Sequence, residues 1–283
     1  MAKYRFVIDV EKCTGCHSCF LACKDEYIGN DYLPTAAAQP EKGHTWIKLN
    51  ETEQGQGTKI KVDYIPVMCQ QCADTPCAVA APAGAVYKRA DGIVIIDPEK
   101  AKGCKAIVNS CPYRAVYWND EKNLPQKCTM CAHMLDNGEK TTRCAEACPT
   151  GALVFGDTED KNSAISRILA EKAGRVEVFK PELAVEATTK YINLPKPFIA
   201  GEVLLADRPG ECLKGAKVTL TAKEDDTFLL EVQTDVFGDF EFKNLESNKN
   251  YIIKAEYEGY YFTELTVRTY ASQNLGEIVL NPR

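Results

Sequence analysis

Apolar positions along this chain come in short bursts. Tyr4-Arg-Phe-Val-Ile-Asp-Val10 alternates as a short strand, and comparable runs at Ala85-Val-Tyr87, Ile93-Val-Ile-Ile96, Ala115-Val-Tyr-Trp118 and Ala152-Leu-Val-Phe155 each precede or follow a group of cysteines. Together they predict small hairpin strands flanking cysteine-bearing turns. Between Cys23 and Cys69 runs a long insert with Tyr27, Tyr32, His44, Trp46 and a Gln54-Gly-Gln-Gly57 turn. An insert of that length either covers a partner interface or forms its own hairpin. From Asp157 to Gly174 the spacing of Ile165, Ile168 and Leu169 predicts one amphipathic helix, and Pro181, Pro195 and Pro197 punctuate an extended connector.

Beyond Pro197 the texture changes to strands at 199–205, 216–221, 227–234, 240–242, 251–257, 262–267 and 276–280, with turns at Asp207-Arg-Pro-Gly210, Gly238 and Ser247-Asn-Lys-Asn250. Six or seven strands at this spacing predict a small antiparallel β-sandwich. The expected class is α+β, with a cysteine-rich domain over 1–156, a helix and connector over 157–197, and a β-sandwich over 198–283.

Composition narrows the picture. The 283 residues fit about two domains, and 45% hydrophobic with 26% charged residues argues against disorder and against a coiled coil. A net charge of −6 offers no basic face for nucleic acid. No apolar run reaches membrane-spanning length. Nor does the N-terminus resemble a signal peptide, so a cytoplasmic protein is expected, unless a signal-bearing partner exports it folded.

Thirteen of the 14 cysteines lie between Cys13 and Cys148. Tight C-x2-C steps suit ligands better than disulfides. Cys13-Thr-Gly-Cys16-His-Ser-Cys19-Phe-Leu-Ala-Cys23 has the C-x2-C-x2-C-x3-C spacing of bacterial ferredoxins, in which the fourth cysteine serves the neighbouring cluster. Zinc, which takes four ligands from separated knuckles, fits this run poorly. Cys128-Thr-Met-Cys131 and Cys144-Ala-Glu-Ala-Cys148-Pro149 close the pattern. Crosswise pairing gives one 4Fe-4S site from Cys13, Cys16, Cys19 and Cys148, and a second from Cys23, Cys128, Cys131 and Cys144. Cys69, Cys72, Cys77 and Cys111 complete a third. At the fourth position the spacing meets Ala81, Ala101, Cys104 and Ile107, so one thiol survives and apolar side chains are expected to fill the space. Cys104 and Cys212 are left over and read as buried small hydrophobes.

Four ferredoxin-type groups with long inserts resemble the iron-sulfur subunits of the molybdenum enzymes of the dimethyl sulfoxide reductase family. The resemblance covers residues 1–195, including Gly43-His-Thr-Trp46, the 91–103 stretch, Gln126-Lys-Cys-Thr-Met-Cys-Ala-His133, Lys180-Pro-Glu-Leu183 and Tyr191-Ile-Asn-Leu-Pro195. It implies a large partner subunit that carries molybdenum on two molybdopterin guanine dinucleotides and holds the active site, leaving no catalytic residue in this chain. Most members keep four clusters. The loss of one and the added β-domain resemble the branch that transfers hydroxyl groups between polyphenols in anaerobic metabolism. The alternative is an electron-transfer subunit of a related aromatic hydroxylase or dehydroxylase.

His17, His44 and His133 are expected in solvent-facing or structural roles, and Trp46 and Trp118 in packing or interface roles. Lys24-Asp-Glu26 and Lys223-Glu-Asp-Asp226 read as solvated surface. The C-terminal domain resembles prealbumin-like or carboxypeptidase-regulatory-like sandwiches through Thr234-Asp-Val-Phe-Gly-Asp-Phe240, and is expected to brace a heterodimer.

Overall fold

The structure, a computed structural model, describes residues 1–224, 227–262 and 264–282. Asp225, Asp226 and Thr263, on which parts of the predicted charge run and of the 262–267 strand fall, lie outside the described residues. The chain divides into two units, one of residues 1–51 and 64–194, the other of 52–63 and 195–283.

In the first unit, β1 (Tyr4–Asp9) leads to α1 (Ser18–Tyr27). A long hairpin follows, β2 (Ile47–Gln56) and β3 (Lys59–Met68), so the insert is spent largely on a ribbon whose distal residues count with the second unit. Then come α2 (Pro76–Val79), β4 (Val86–Lys88), β5 (Val94–Ile96), α3 (Ala106–Asn109), β6 (Tyr117–Asn119), β7 (Leu124–Gln126), α4 (Ala132–Asp136), α5 (Arg143–Glu146), β8 (Leu153–Asp157), α6 (Ala164–Glu171), β9 (Val176–Glu177) and β10 (Lys190–Ile192). The pairs β4–β5 and β6–β7 are the small antiparallel hairpins that the apolar runs predict.

The unit's main sheet has the order β8-β1-β10-β9, with β1 antiparallel to β8 and parallel to β10. Strand alternation divides its apolar residues between two faces. Phe6 and Ile8 enter the core that also holds Cys19, Cys23, Tyr27 and Trp46, while Val7 packs on the other face against Ile165 of α6 and Ile192. Ser163 caps α6 by accepting from the Ser166 amide at 3.2 Å. Burying each such isoleucine contributes roughly 1.5–3 kcal/mol.

The second unit carries β11 (Ile199–Leu205), β12 (Lys217–Ala222), β13 (Phe228–Gln233), β14 (Asp239–Phe242), β15 (Asn250–Tyr257), β16 (Tyr260–Tyr261), β17 (Leu265–Arg268) and β18 (Gln273–Pro282). They pair in the order β13-β12-β15-β16-β18-β11-β14, with β17 on β15. Val203, Leu205, Val218, Leu220, Phe240, Phe242, Ile253, Ile278 and Leu280 alternate inward to form one apolar core. Gly201 sits at the irregularity between β11 and β18, where a Cβ would stand 2.9 Å from the Phe240 ring. The hairpin tip belongs to this unit through bonds to Gln54 from Ser272 (2.5 Å) and to the Gln56 carbonyl from Asn274 (2.9 Å), and through a Lys59–Asp239 ion pair. Among the described residues no helix is long and apolar enough to cross a membrane.

Candidate metal centres

The cysteine turns share one backbone device. In three of the four C-x2-C steps the residue before the second cysteine is left-handed, Gly15 (φ 70°), Gln71 (φ 50°) and Met130 (φ 52°), and between Cys16 and Cys19 the left-handed residue is His17 (φ 61°). The reversal turns amides towards sulfur, as when the Met130 N–H donates to Cys128 Sγ at 3.4 Å. A side chain in that region costs about 1–2 kcal/mol, and Gln71 offsets it by donating to the Cys128 carbonyl (3.0 Å) and accepting from the Val94 amide (2.8 Å). Glycine at position 15 has a second cause, since a Cβ there would meet the Tyr64 ring at 2.7 Å. Gly15→Ala is therefore expected to destabilise the first unit by about 2–4 kcal/mol, strain and overpacking together, read from its thermal unfolding midpoint.

Helix α1 starts at the first cysteine run and presents Cys19, Cys23 and Tyr27, four residues apart, on its buried face. Cys23 thereby faces Cys128, Cys131 and Cys144 in one cavity, also lined by Tyr27, Trp46 and Met130. Cys69, Cys72, Cys77 and Cys111 line another, with Gln70, Tyr113 and Lys127. The thiols of Cys13, Cys16, Cys19 and Cys148 form the remaining group, near enough that Cys19 feels the charge of the other three.

Electrostatics distinguishes buried from exposed thiols. Burial, with repulsion from neighbouring thiolates, pushes Cys19, Cys72 and Cys131 up to about 12 and Cys77 to about 11. Cys23, Cys128 and Cys144 also move up, chiefly through burial. Exposed Cys16 moves down because the Ser18 hydroxyl, 3.4 Å from its sulfur, supports the thiolate. Burial works against the Cys148 thiolate, but the Leu153 amide, the Thr150 hydroxyl and the amides of Thr150 and Ala152 outweigh it and hold its pKa below the ordinary value. Four buried thiols cannot ionise side by side without positive charge among them, so the donor sets fit a thiophilic cationic centre. Residues lining these spaces carry unpartnered buried polar atoms: Trp46 Nε1 at the Cys23 cavity, and Tyr113 Oη and Gln70 Oε1 at the Cys69 cavity. An indole N–H or a phenol O–H left there costs about 1–3 kcal/mol, and a sulfur-rich occupant would accept from either.

At the fourth position, Ala81, Ala101, Cys104 and Ile107 join Ala85, Val86, Val94, Ile96 and Val116 in one apolar cluster. Cys212 departs from the expectation of burial. It is exposed, because the next residue, Leu213, takes the inward place in its turn.

The charged run 24–26 is also corrected. Asp25 is exposed, but Lys24 donates to the carbonyls of Pro40 (2.5 Å) and His44 (3.1 Å). Glu26 accepts from Tyr32 Oη (2.8 Å), His133 Nε2 (2.8 Å) and Arg143 Nε (2.6 Å). Burial disfavours its charge, yet these donors hold its carboxyl below the usual range. The network ties α1 to α4 and α5, which flank the Cys23 group. Lys223 and Glu224 are exposed. His133 stacks on Tyr32 and His44 on Tyr117, both structural roles, and Trp46 packs on Tyr27 at 4.2 Å between centroids. Trp118 lies half-buried under Lys105 Nζ.

Sequence reasoning missed Lys127. It is 2% exposed, and its ammonium donates to the carbonyls of Val94 and Cys128 while lining the Cys69 cavity. Adjacency to Cys128 was the only signal.

A family described as 4Fe-4S dicluster domain matches residues 60–158, and one described as BOS complex subunit NOMO1-like, beta sandwich domain, matches 198–272. The chain is 38% identical to the pyrogallol hydroxytransferase small subunit of Pelobacter acidigallici, over 99% of this chain and 100% of that one. It is 30% identical to a tetrathionate reductase subunit of Salmonella typhimurium, over 70% and 75% of the two chains. Identity to a sulfite dehydrogenase subunit of Allochromatium vinosum is 32%, over 68% and 83%.

Proposed function

Because the chain belongs to the iron-sulfur subunits of dimethyl sulfoxide reductase type molybdoenzymes, we propose that it serves a polyphenol transhydroxylase as its electron-transfer subunit. One observation carries this reading. Similarity to the pyrogallol hydroxytransferase small subunit spans 99% of this chain, C-terminal unit included, whereas the matches to tetrathionate reductase and sulfite dehydrogenase subunits cover 70% and 68% of it.

Three 4Fe-4S clusters are assigned: one to Cys13, Cys16, Cys19 and Cys148, one to Cys23, Cys128, Cys131 and Cys144, and one to Cys69, Cys72, Cys77 and Cys111. The shared cavities and mutual charge effects of these thiols support the assignment. Bound, each cluster stores one electron at a potential set by net charge, hydrogen bonds to sulfur and exposure. The protein's part is to hold twelve thiolates, exclude water from two of the three groups, and offer donors such as Trp46 Nε1. The two cysteine-and-hairpin halves follow a ferredoxin-like pseudo-symmetry, with the second half's companion position closed by the apolar cluster around Ile107. The C-terminal unit is a sandwich that braces the heterodimer.

The large partner would carry molybdenum on two molybdopterin guanine dinucleotides and hold the phenolic substrate, so this chain has no catalytic residue. Moving a hydroxyl between two rings involves no net redox change. Electrons passing through this chain then adjust the metal's oxidation state instead of being consumed at each turnover.

The holoenzyme is expected to contain about 12 irons per copy of this chain and to form product without stoichiometric consumption of an electron acceptor. One equivalent of acceptor consumed per product would instead establish the hydroxylase or dehydroxylase reading. Iron near sixteen per copy would refute the three-cluster assignment, as four such clusters require.

A further inference from the structure

Lys127 poses a charge-balance problem that the structure itself answers. Its side chain is buried, and among the described residues no carboxylate pairs with it. Two of its three N–H donors go to the carbonyls of Val94 and Cys128, both neutral acceptors. An ammonium taken out of water without a counter-charge costs several kcal/mol. The negative charge within its reach is sulfur, since it lines one cavity with Cys69, Cys72, Cys77 and Cys111. Through the Cys128 carbonyl it also touches the backbone of the neighbouring group.

We propose that Lys127 is a positioning residue that raises the reduction potential of the centre on Cys69, Cys72, Cys77 and Cys111, making that centre the preferred resting place for an electron in this chain. The inference rests on the cluster assignment above. In the step concerned, a one-electron donor gives up one electron and the four-iron core gains it; no bond forms or breaks. The fixed positive charge stabilises the reduced core, which bears one more negative charge than the oxidised core, so removing it shifts the equilibrium towards oxidation.

The test is a mediated dithionite titration of the intact holoenzyme, followed by electron paramagnetic resonance, with the signal of this centre identified as the one altered by Cys111→Ser. Lys127→Met is expected to lower the reduction equilibrium constant of that signal at least tenfold, about 59 mV for one electron, with smaller movement of the other signals. Lys127→Arg, which keeps the charge, should stay within about threefold, or about 28 mV on the same scale. Lys127→Gln, which keeps donors for the two carbonyls but no charge, should follow Met and guards against loss of fold. Full iron with an unmoved potential in the Met or Gln variant would overturn the inference alone, making Lys127 a strut for two carbonyls. A wild-type protein lacking iron at these cysteines would overturn the cluster assignment and the inference with it.

Discussion

Cys144→Ala is expected to leave the first unit unable to fold, not merely short of one metal ligand. Cys144 is buried in the same core as Phe6, Tyr27, Trp46 and Met134, and α5, on which it stands, is capped by Thr142 accepting from the Ala145 amide. In a small metallodomain the binding free energy is folding free energy, about 10–16 kcal/mol for structural zinc in peptides. A domain has only about 5–15 kcal/mol in total, so losing one centre in the middle of the core can remove all of it. The variant should be recovered with little iron and with the first unit open to protease. Cys104→Ala provides the contrast. That thiol sits in the apolar cluster outside the three groups of four, donating weakly to the Ala80 carbonyl at 3.8 Å. Its loss should cost no more than about 1–2 kcal/mol and leave iron content unchanged.

Chelation of iron after oxidation of the holoprotein is expected to act on the two units unequally. The first unit would be left with twelve clustered thiols, five buried and six part-buried, around spaces that nothing fills, and burial pushes thiols such as Cys72 and Cys131 away from ionising. The second unit's core contains no cysteine, and Cys212 is exposed. Amide exchange should therefore show protection lost by at least a hundredfold, about 2.7 kcal/mol, across β1, β8 and β10. Protection in β11, β12, β15 and β18 should be retained. Equal loss in both units would refute this picture.

Much of the site was legible because covalent spacing carries it: a C-x2-C turn brings two sulfurs together whatever surrounds it. The strands around the turns were legible for a similar reason, since Ile93–Ile96 or Ala152–Phe155 can hide only as short buried runs. β7 was not, because Leu124-Pro125-Gln126 carries a proline and pairs through its register with β6. The buried charges were less legible still. Glu26 looks like surface until Arg143 and His133, more than a hundred residues later, fold against it, and Lys127 looks like surface until the thiols beside it are seen as its counter-charge. A charge's burial depends on partners that local pattern cannot show. Cys212 failed in the opposite direction, as burial statistics for cysteine gave way to the inward turn of its neighbour Leu213.

The ribbon of residues 52–63 carries a lesson for anyone cutting this gene. Its tip is bonded to Ser272, Asn274 and Asp239, so the C-terminal module is written in two separated stretches of the chain. A truncation after residue 194 would strip Gln54, Gln56 and Lys59 of their partners, and a transplant of 195–283 alone would arrive without the arm that lies along it. Shuffling by a single crossover cannot move this module intact. Evolution would have had to acquire or lose its two pieces in concert.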